Sequence, residues 1–271
     1  MRFFQSSFLL IANLLIFGFV AKAQQAPKVQ MPASPTPDIT VTPFDAARFP
    51  SFGNVFTADK AGLEAESFVL TNNSDKPIAG IDVEWVITDN DGRRRPLNFE
   101  SDRFQSPMAR AIAEGHDVLL VAPGTFLSES TQKWIDSGAS HGGVSASVTS
   151  GGGTEFSDAA QISVSIDCVI FGDGEVVGPN LMRFTDEIQA RPVAANTVVE
   201  KVQSALNAGQ DPSTVLSPLV NTPLHRNDFV GQWEARFAQQ LLHSPNIEVV
   251  LAGLERFPPA PKLYRLDGGP V

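Results

Sequence analysis

Every second residue from Ile81 to Ile87 is apolar, and turn-forming residues follow this stretch directly. A two-residue period is typical of a strand with one buried face, and Trp85 lies on that face. The next residues, Asp89 to Gly92, tolerate the left-handed backbone of a tight turn. The pattern therefore predicts an antiparallel hairpin whose second strand lies around residues 95–99.

Several other short segments have the same strand-like character. They lie at residues 63–71, 118–121, 144–148 and 162–168 and from Val176 onward. Turn residues separate these segments, and before Phe171 only residues 107–113 favour a turn or two of helix. Short strands without long helices between them predict an antiparallel sandwich rather than a parallel α/β sheet.

The spacing of apolar residues changes to a helical one in the last third of the chain. Pro192 is predicted to occupy the first turn of a helix that Gly209 ends. A second helix is predicted to follow Asn227 or Asp228 as its capping residue. Residues 247–254 fit either a third helix or a strand. The fold class predicted from these patterns is α+β.

The first residues have the features of a cleaved export signal. Arg2 precedes an apolar run over residues 8–20, and Ala21-Lys22-Ala23 has the small-x-small pattern that signal peptidase recognises. The run is shorter than the roughly 20 residues that a membrane-spanning helix needs. We therefore expect cleavage after Ala23, a secreted or periplasmic location, and no membrane span in the mature chain.

Composition limits how the mature chain is stabilised and what it binds. Cys168 is the only cysteine, so neither an intrachain disulfide nor a lipid-modified N-terminal cysteine is expected. The net charge of −10 becomes about −12 once Arg2 and Lys22 are removed, which argues against nucleic acid as a partner. The basic run at residues 93–95 follows a turn and is interpreted as a solvated edge strand.

The chain divides into five predicted units. These are a signal peptide (1–23), a Pro-rich flexible arm (24–43), a β-sandwich (44–179), a helical region (180–257) and a Pro/Gly-rich tail (258–271). In the tail, Leu263, Tyr264 and Leu266 are the expected anchors.

Two segments carry a resemblance to a known architecture. The sequences FVLTNNSDKPIAGIDVEWVITDNDG and VIFGDGEVVGP resemble hairpins of immunoglobulin-like and fibronectin type III-like modules in secreted bacterial proteins. The resemblance implies an immunoglobulin-like sandwich, although no cysteine pair brackets Trp85 as in antibody domains. Since many functions share this architecture, it implies a fold and almost no chemistry.

Ser140 is the one candidate nucleophile, because residues 138–142 match the G-x-S-x-G motif of serine hydrolases. That motif needs a buried strand before the serine and a helix after it, whereas residues 133–137 do not form a strand pattern. A flexible loop is the favoured interpretation. The residues that would complete a triad in the order Ser, Asp, His are Asp158, Asp167 or Asp173 and then His225 or His243.

No metal or cofactor site is predicted. The turn at residues 89–92 resembles a calcium loop, but Ile87 and Asn98 occupy positions that would have to bind the ion. The four histidines are His116, His141, His225 and His243, and their spacing matches no metal motif. His243 is interpreted as a helix-end residue. Cys168 and the stripe of Phe229, Trp233 and Phe237 are interpreted as core.

These observations favour a non-enzymatic binding or structural module of the cell envelope or extracellular space. Its expected partner is a protein or another envelope component. Two alternatives stay open: a secreted serine hydrolase that uses Ser140, and a carbohydrate-binding sandwich. The second alternative needs exposed aromatic side chains, while Trp85 lies on an apolar face and only Trp134 lies in a predicted loop.

Overall fold

The computed structural model describes residues 27–52, 55–56, 63–104, 112–123, 125–129, 156 and 158–271. In this part of the chain, strands come first and helices follow, which confirms the α+β class. The strands are β1 (Lys28–Gln30), β2 (Ile39–Pro43), β3 (Phe68–Asn72), β4 (Ile78–Asp89), β5 (Arg94–Asp102), β6 (Val118–Ala122), β7 (Thr125–Ser128), β8 (Ala159–Phe171) and β9 (Val176–Val177). The helices are α1 (Phe184–Asn207), α2 (Ser213–Asn221), α3 (Phe229–His243) and α4 (Ile247–Leu254).

The strands form two sheets. In the larger sheet the order is β1, β8, β4, β5, and β9 also pairs with β8. The smaller sheet has the order β2, β3, β6, β7. All neighbouring strands are antiparallel except β1, which runs parallel to β8. The predicted signal peptide and the predicted strand at residues 144–148 lie outside the described residues.

The predicted hairpin is confirmed as β4 and β5. Thr88 pairs with Arg94, and the N–H of Asp89 donates to the carbonyl of Arg93 at 2.9 Å. Gly92 has a φ of 83°, the left-handed conformation that this turn requires and that glycine adopts without strain. Arg93 and Arg94 are exposed where the edge strand β5 begins, as expected for this basic run.

Both sheets contribute side chains to one hydrophobic core. Its fully buried members include Ile39, Phe68 and Leu70 from the smaller sheet and Ile81, Val83, Trp85, Ile87 and Ile162 from the larger sheet. The Trp85 ring is buried, and its Nε1 donates to the carbonyl of Glu66 at 3.1 Å. The apolar face predicted from the alternation in β4 therefore faces the core.

The segment predicted as a flexible arm contains two strands, which corrects that prediction for residues 28–30 and 39–43. β1 pairs with residues 161–163 of β8, and β2 pairs with β3. Prolines cannot donate to a sheet, but here they lie outside the strands or at the end of β2, as Pro43 does. Ile39 is buried, so the segment also contributes to the core.

The helix α1 begins earlier than the sequence predicts. Phe184 is its first residue, so Pro192 lies inside the helix rather than in its first turn. A proline there lacks the N–H that would bond to the carbonyl four residues back, and the many buried residues of α1 offset this loss. The predicted end is correct, since Gly209 follows the helix with a φ of 67°.

The other helices partly match the prediction. α3 begins after Asp228, whose side chain accepts a hydrogen bond from the N–H of Gly231 at 2.9 Å. The open choice for residues 247–254 is resolved as helix α4, whereas α2 was not predicted. The helices share a second core that includes Ala194, Val198, Val202, Leu216, Phe237, Leu241, Leu251 and Leu254. Trp233 packs against this core while partly exposed, so Phe237 and Trp233 are packing residues, as predicted. Phe229 of the same predicted stripe lies outside this core, and its ring centroid is 5.3 Å from the Arg183 guanidinium.

The C-terminal tail returns to the larger sheet. Tyr264 accepts a hydrogen bond from the N–H of Val176 at 2.8 Å and donates its own N–H to the carbonyl of Gly174 at 3.0 Å. Leu263 packs against a small core beneath α1. Leu266 is 77% exposed, which corrects its prediction as an anchor. Backbone pairing therefore holds the tail more than apolar burial does.

Candidate functional site

One face of the larger sheet carries acidic side chains, and α1 covers it. Asp82 of β4 lies opposite Glu100 on β5 and opposite Cys168 on β8. Side chains directly opposite in a sheet share a face, so these three residues lie together. Phe184 and Ile188 of α1 form a small core with Cys168. The helix therefore buries a polar part of the sheet.

Arg191 connects α1 to this face of the sheet. Its side chain is 1% exposed, and its Nη1 lies 2.5 Å from Oδ2 of Asp102 on β5. Nη2 lies 3.2 Å from Oε1 of Glu187 and 3.9 Å from Oε1 of Glu100. A buried guanidinium is stable only when carboxylates compensate its charge. Arg191 is therefore an ionic link between the helical region and the sheet.

Trp233 brings α3 into the same arrangement. Its ring centroid lies 4.7 Å from the Arg191 guanidinium and 4.6 Å from that of Arg236, distances typical of cation–π contacts. Its Nε1 donates to Oε1 of Glu187 at 3.0 Å. We call Asp82, Glu100, Asp102, Glu187, Arg191 and Trp233 the acid–arginine cluster.

Asp82 is the least compensated member of the cluster. It is fully buried, and neither of its carboxyl oxygens has a hydrogen-bond partner among the described residues. Burial, aided by the negative charges of Asp167 and Glu100, raises the pKa of Asp82 to about 8. The nearby Asn98 amide opposes this rise in pKa, although it does not form a hydrogen bond to Asp82. Asp82 therefore carries a proton at neutral pH.

The pKa of Glu100 is also raised. Burial is the main cause that raises the pKa of Glu100, and the nearby Glu187 carboxylate adds to it. The positive charge of Arg191 acts in the opposite direction. Carboxyl groups thus outnumber the guanidinium groups that reach them inside this cluster. The chemistry it can perform is the uptake and release of protons.

Cys168 lies within this buried region. Burial raises the pKa of its thiol, and the carboxyl groups of Asp82 and Asp167 add to the shift. A thiolate is the reactive form of cysteine. Cys168 is buried, as predicted, and its thiol is protonated and unreactive in the folded protein.

Two of the three acidic candidates for a catalytic triad, Asp167 and Asp173, have other partners for their carboxylates. The Asp167 carboxylate accepts hydrogen bonds from the N–H groups of Leu181 and Met182, each at 2.8 Å, just before α1 begins. The Asp173 carboxylate lies 2.6 Å from Nζ of Lys76 and accepts a hydrogen bond from the Tyr264 hydroxyl at 3.0 Å. Both acids therefore organise local structure. Asp158 accepts a hydrogen bond from Asn90 through its backbone carbonyl at 3.3 Å.

The candidate nucleophile Ser140 lies outside the described residues, as do His141 and Trp134. The other histidines are apart from the acid–arginine cluster. Nε2 of His116 lies 2.7 Å from Oδ1 of Asp75 on the surface, and His225 lies in an exposed loop. Nδ1 of His243 lies 2.8 Å from the carbonyl of Gln239 at the end of α3, the helix-end position predicted for it.

Three further features of the described residues bear on function. No group of three or more His, Cys, Asp or Glu residues among them is arranged to hold a metal ion. Within the same residues, no helix has the length and apolar character needed to span a membrane. A groove of about 430 Å³ lies between α1 and α2, and both polar side chains such as Glu200 and Lys201 and the apolar Ala205 and Val215 line it. The groove is open, and Lys201 in its wall also pairs with Glu234 at 3.0 Å.

Comparisons with protein-family models, with curated proteins and with solved structures give no match for this chain.

Sequence reasoning did not identify the acid–arginine cluster, although one signal for it exists. Phe184, Ile188 and Arg191 are spaced as residues on one face of a helix. An arginine on an apolar helical face needs a buried acidic partner. Glu100 and Asp102 alternate along β5 and could have been proposed as that partner.

Proposed function

We propose that this chain is a non-enzymatic binding or structural module that acts in the cell envelope or extracellular space after export. The observation that supports this proposal is the buried ion pair of Arg191 with Asp102 and Glu187. This ion pair attaches the helical region to the larger sheet through buried charged groups. A framework held together in this way suits a protein whose loops bind a partner.

We further propose that the two sheets form an immunoglobulin-like sandwich. Side chains of both sheets share one core, and Trp85 is fully buried in it with its Nε1 donating to the Glu66 carbonyl. An experimental structure of the chain tests this topology. A connection order unlike that of immunoglobulin-like domains would contradict it.

Export is tested by expressing the full chain with its first 23 residues and sequencing the N-terminus of the product. We expect cleavage after Ala23. A chain that keeps these residues and stays in the cytoplasm would contradict both the signal and the proposed location.

Binding is tested with the mature chain, residues 24–271, by mild crosslinking in an envelope fraction followed by identification of the crosslinked species. The matched control is the Arg191→Met variant, which keeps the volume of the side chain and loses the ionic link. We expect a reproducible partner that the wild-type chain captures and the variant captures less. Equal capture by both chains would mean that the fixed framework is not what the partner recognises.

The hydrolase alternative makes a separate prediction. A fluorophosphonate probe would label the mature chain and would not label the Ser140→Ala variant if Ser140 were a nucleophile. We expect no labelling of either chain, because Asp167 and Asp173 already have structural partners. Specific labelling at Ser140 would overturn the non-enzymatic proposal.

The carbohydrate-binding alternative depends on exposed aromatic rings. Trp85 is buried and Trp233 lies between two arginines, so neither offers a free platform for a sugar ring. We expect the mature chain to pass through polysaccharide matrices without retention. Retention that Trp134→Ala abolishes would favour this alternative.

A further inference from the structure

The joint between the larger sheet and α1 contains buried polar atoms that lack partners. Both carboxyl oxygens of Asp82 and Nε of Arg191 are buried without a hydrogen-bond partner among the described residues. An ionised carboxylate in such a place costs several kcal/mol, and a neutral carboxylic acid costs much less. The geometry therefore favours a proton on Asp82 while α1 covers it.

The groups around Asp82 add negative charge rather than compensating it. The polar and charged groups that face this region are Asp82 and Glu84 from β4, Asn98, Glu100 and Asp102 from β5, Asp167 and Cys168 from β8, Glu187 and Arg191 from α1, Trp233 and Arg236 from α3, and Arg265 from the tail. Arg191 uses its two Nη groups for Asp102 and Glu187. Arg236 pairs with Glu187 at 3.5 Å, and Arg265 donates to the carbonyl of Gly178 at 2.8 Å.

We propose that the joint between the larger sheet and the helical region is controlled by a proton, which Asp82 holds when α1 is closed on the sheet and releases when α1 lifts away. In the open joint, water solvates the carboxylate and Arg191 separates from Asp102. Acidic conditions then favour the closed joint, and rising pH favours opening. This inference does not depend on which partner the protein binds.

The direction in which pH shifts the joint between closed and open follows from proton linkage. A solvated aspartate ionises near pH 4, whereas the closed joint raises the pKa of Asp82 to about 8. Between these values the open state binds fewer protons than the closed state, so each pH unit increases the open population by up to about tenfold. Above about pH 8 both states are ionised and the increase stops.

Cys168 provides a native probe for this opening. It is the only cysteine in the chain, it is fully buried, and it lies opposite Asp82 beneath α1. The experiment measures the rate at which a thiol reagent labels Cys168 in the mature chain from pH 5.5 to pH 8.5. Dividing the labelling rate of the folded chain by that of the urea-unfolded chain at the same pH removes the intrinsic pH dependence of the thiol.

We expect the protection of Cys168 to fall about tenfold or more between pH 6 and pH 8, within the limit that linkage sets. In the Asp82→Asn variant, protection should change clearly less over the same range, and the change that remains is the part contributed by Glu100, whose pKa burial also raises. Asp38→Asn is the matched control, because Asp38 is exposed and distant in sequence from the cluster. It should behave as the wild-type chain does.

A second reporter separates opening of the joint from unfolding of the whole protein. The double variant Cys168→Ala/Ala122→Cys places the thiol in the core shared by the two sheets, where Ala122 is fully buried. We expect its protection to change less with pH than that of Cys168. An equal change at both positions, or protection of wild-type Cys168 that is independent of pH, would overturn the proposal even if Asp82→Asn does not fold.

Discussion

At the scale of single residues, Arg191 forms a buried ionic contact between the sheet and the helical region. Its side chain is almost fully buried and lies between Asp102 of β5, Glu187 of α1 and the Trp233 ring of α3. Removing one member of a buried ion pair leaves the other charge unpaired, which costs more than the pair itself contributes. The contribution of the acid–arginine cluster to stability therefore depends on how completely its charged groups compensate one another.

Arg191→Met should lower the free energy of unfolding by about 3–5 kcal/mol, because Asp102 and Glu187 lose their partner inside the protein. Urea denaturation near neutral pH measures this change. Arg236→Met is the matched control, since Arg236 contacts the same Trp233 ring but its side chain is 55% exposed. We expect the control to cost less than about 1 kcal/mol.

A double-mutant cycle tests whether the loss comes from the ion pair itself. Asp102→Asn in the Arg191→Met background should cost less than it costs in the wild-type chain, because the carboxylate it removes is already unpaired. Additive effects of the two substitutions would mean that Arg191 acts through packing alone.

At the scale of secondary-structure elements, the tail depends on a single glycine in the turn before β9. Gly174 has a φ of 94°, and a Cβ there would collide with the carbonyl oxygen of Lys262. The same turn supplies Asp173, which binds Lys76 and the Tyr264 hydroxyl. The turn therefore has two ways of holding the tail, one steric and one polar.

Gly174→Ala should release the tail from the larger sheet and leave the rest of the fold in place. Amide hydrogen exchange should show lost protection at Val176 and Tyr264, whose N–H groups bond across this contact. Gly92→Ala is the control, because Gly92 also has a positive φ of 83° but a Cβ there meets no neighbour within 4 Å. If Gly92→Ala, whose turn does not contact the tail, lowers protection at Val176 and Tyr264 equally, the loss reflects general destabilisation and not the collision at Gly174.

Local patterns in the sequence predict some of these elements and miss others for one physical reason. The β4–β5 hairpin and the start of α3 depend on neighbouring residues, namely the turn before Arg93 and the cap at Asp228. β1 and β2 depend on strands far along the chain, so their short segments carry little signal alone. Asp82 has the pattern of a solvent-facing residue in a half-buried strand, but in the fold it is fully buried on the face of the sheet where α1 packs.

At the scale of the whole molecule, several buried carboxyl groups have their pKa shifted in the same direction. Burial raises the pKa of Asp82 to about 8 and also raises the pKa values of Glu100 and Glu66. The unfolded chain ionises these groups near pH 4, so it binds fewer protons than the folded chain at neutral pH. Folding stability contributed by these groups therefore decreases as the pH rises from about 4 to about 8.

We expect the free energy of unfolding to fall between pH 5 and pH 8, by at most about 1.4 kcal/mol per pH unit for each such group. Urea denaturation at several pH values measures it. Acids with a lowered pKa, such as the partly buried Asp89 and the exposed Asp211, act in the opposite direction only at lower pH, as they become protonated. The chosen range therefore excludes their effect.

Asp82→Asn should flatten this dependence and make the protein more stable than the wild type at pH 8. Glu66→Gln should flatten it less, because Glu66 lies outside the acid–arginine cluster and has no second acid among the causes of its shift in pKa. Stability that rises between pH 5 and pH 8 in the wild-type chain would contradict the assignment of proton-binding carboxyl groups.

The parallel pairing of β1 with β8 also affects the order in which the protein can fold. β1 can pair only after residues 161–163 of β8 have been synthesised. β4, at the centre of the larger sheet, also pairs with β8 and lacks this neighbour until then. Contacts between residues so far apart in sequence form slowly. During synthesis from the N-terminus, β1 to β5 emerge before β8 and keep unpaired strand edges. A nascent chain of this kind therefore exposes unpaired strand edges for longer than a chain of local hairpins would.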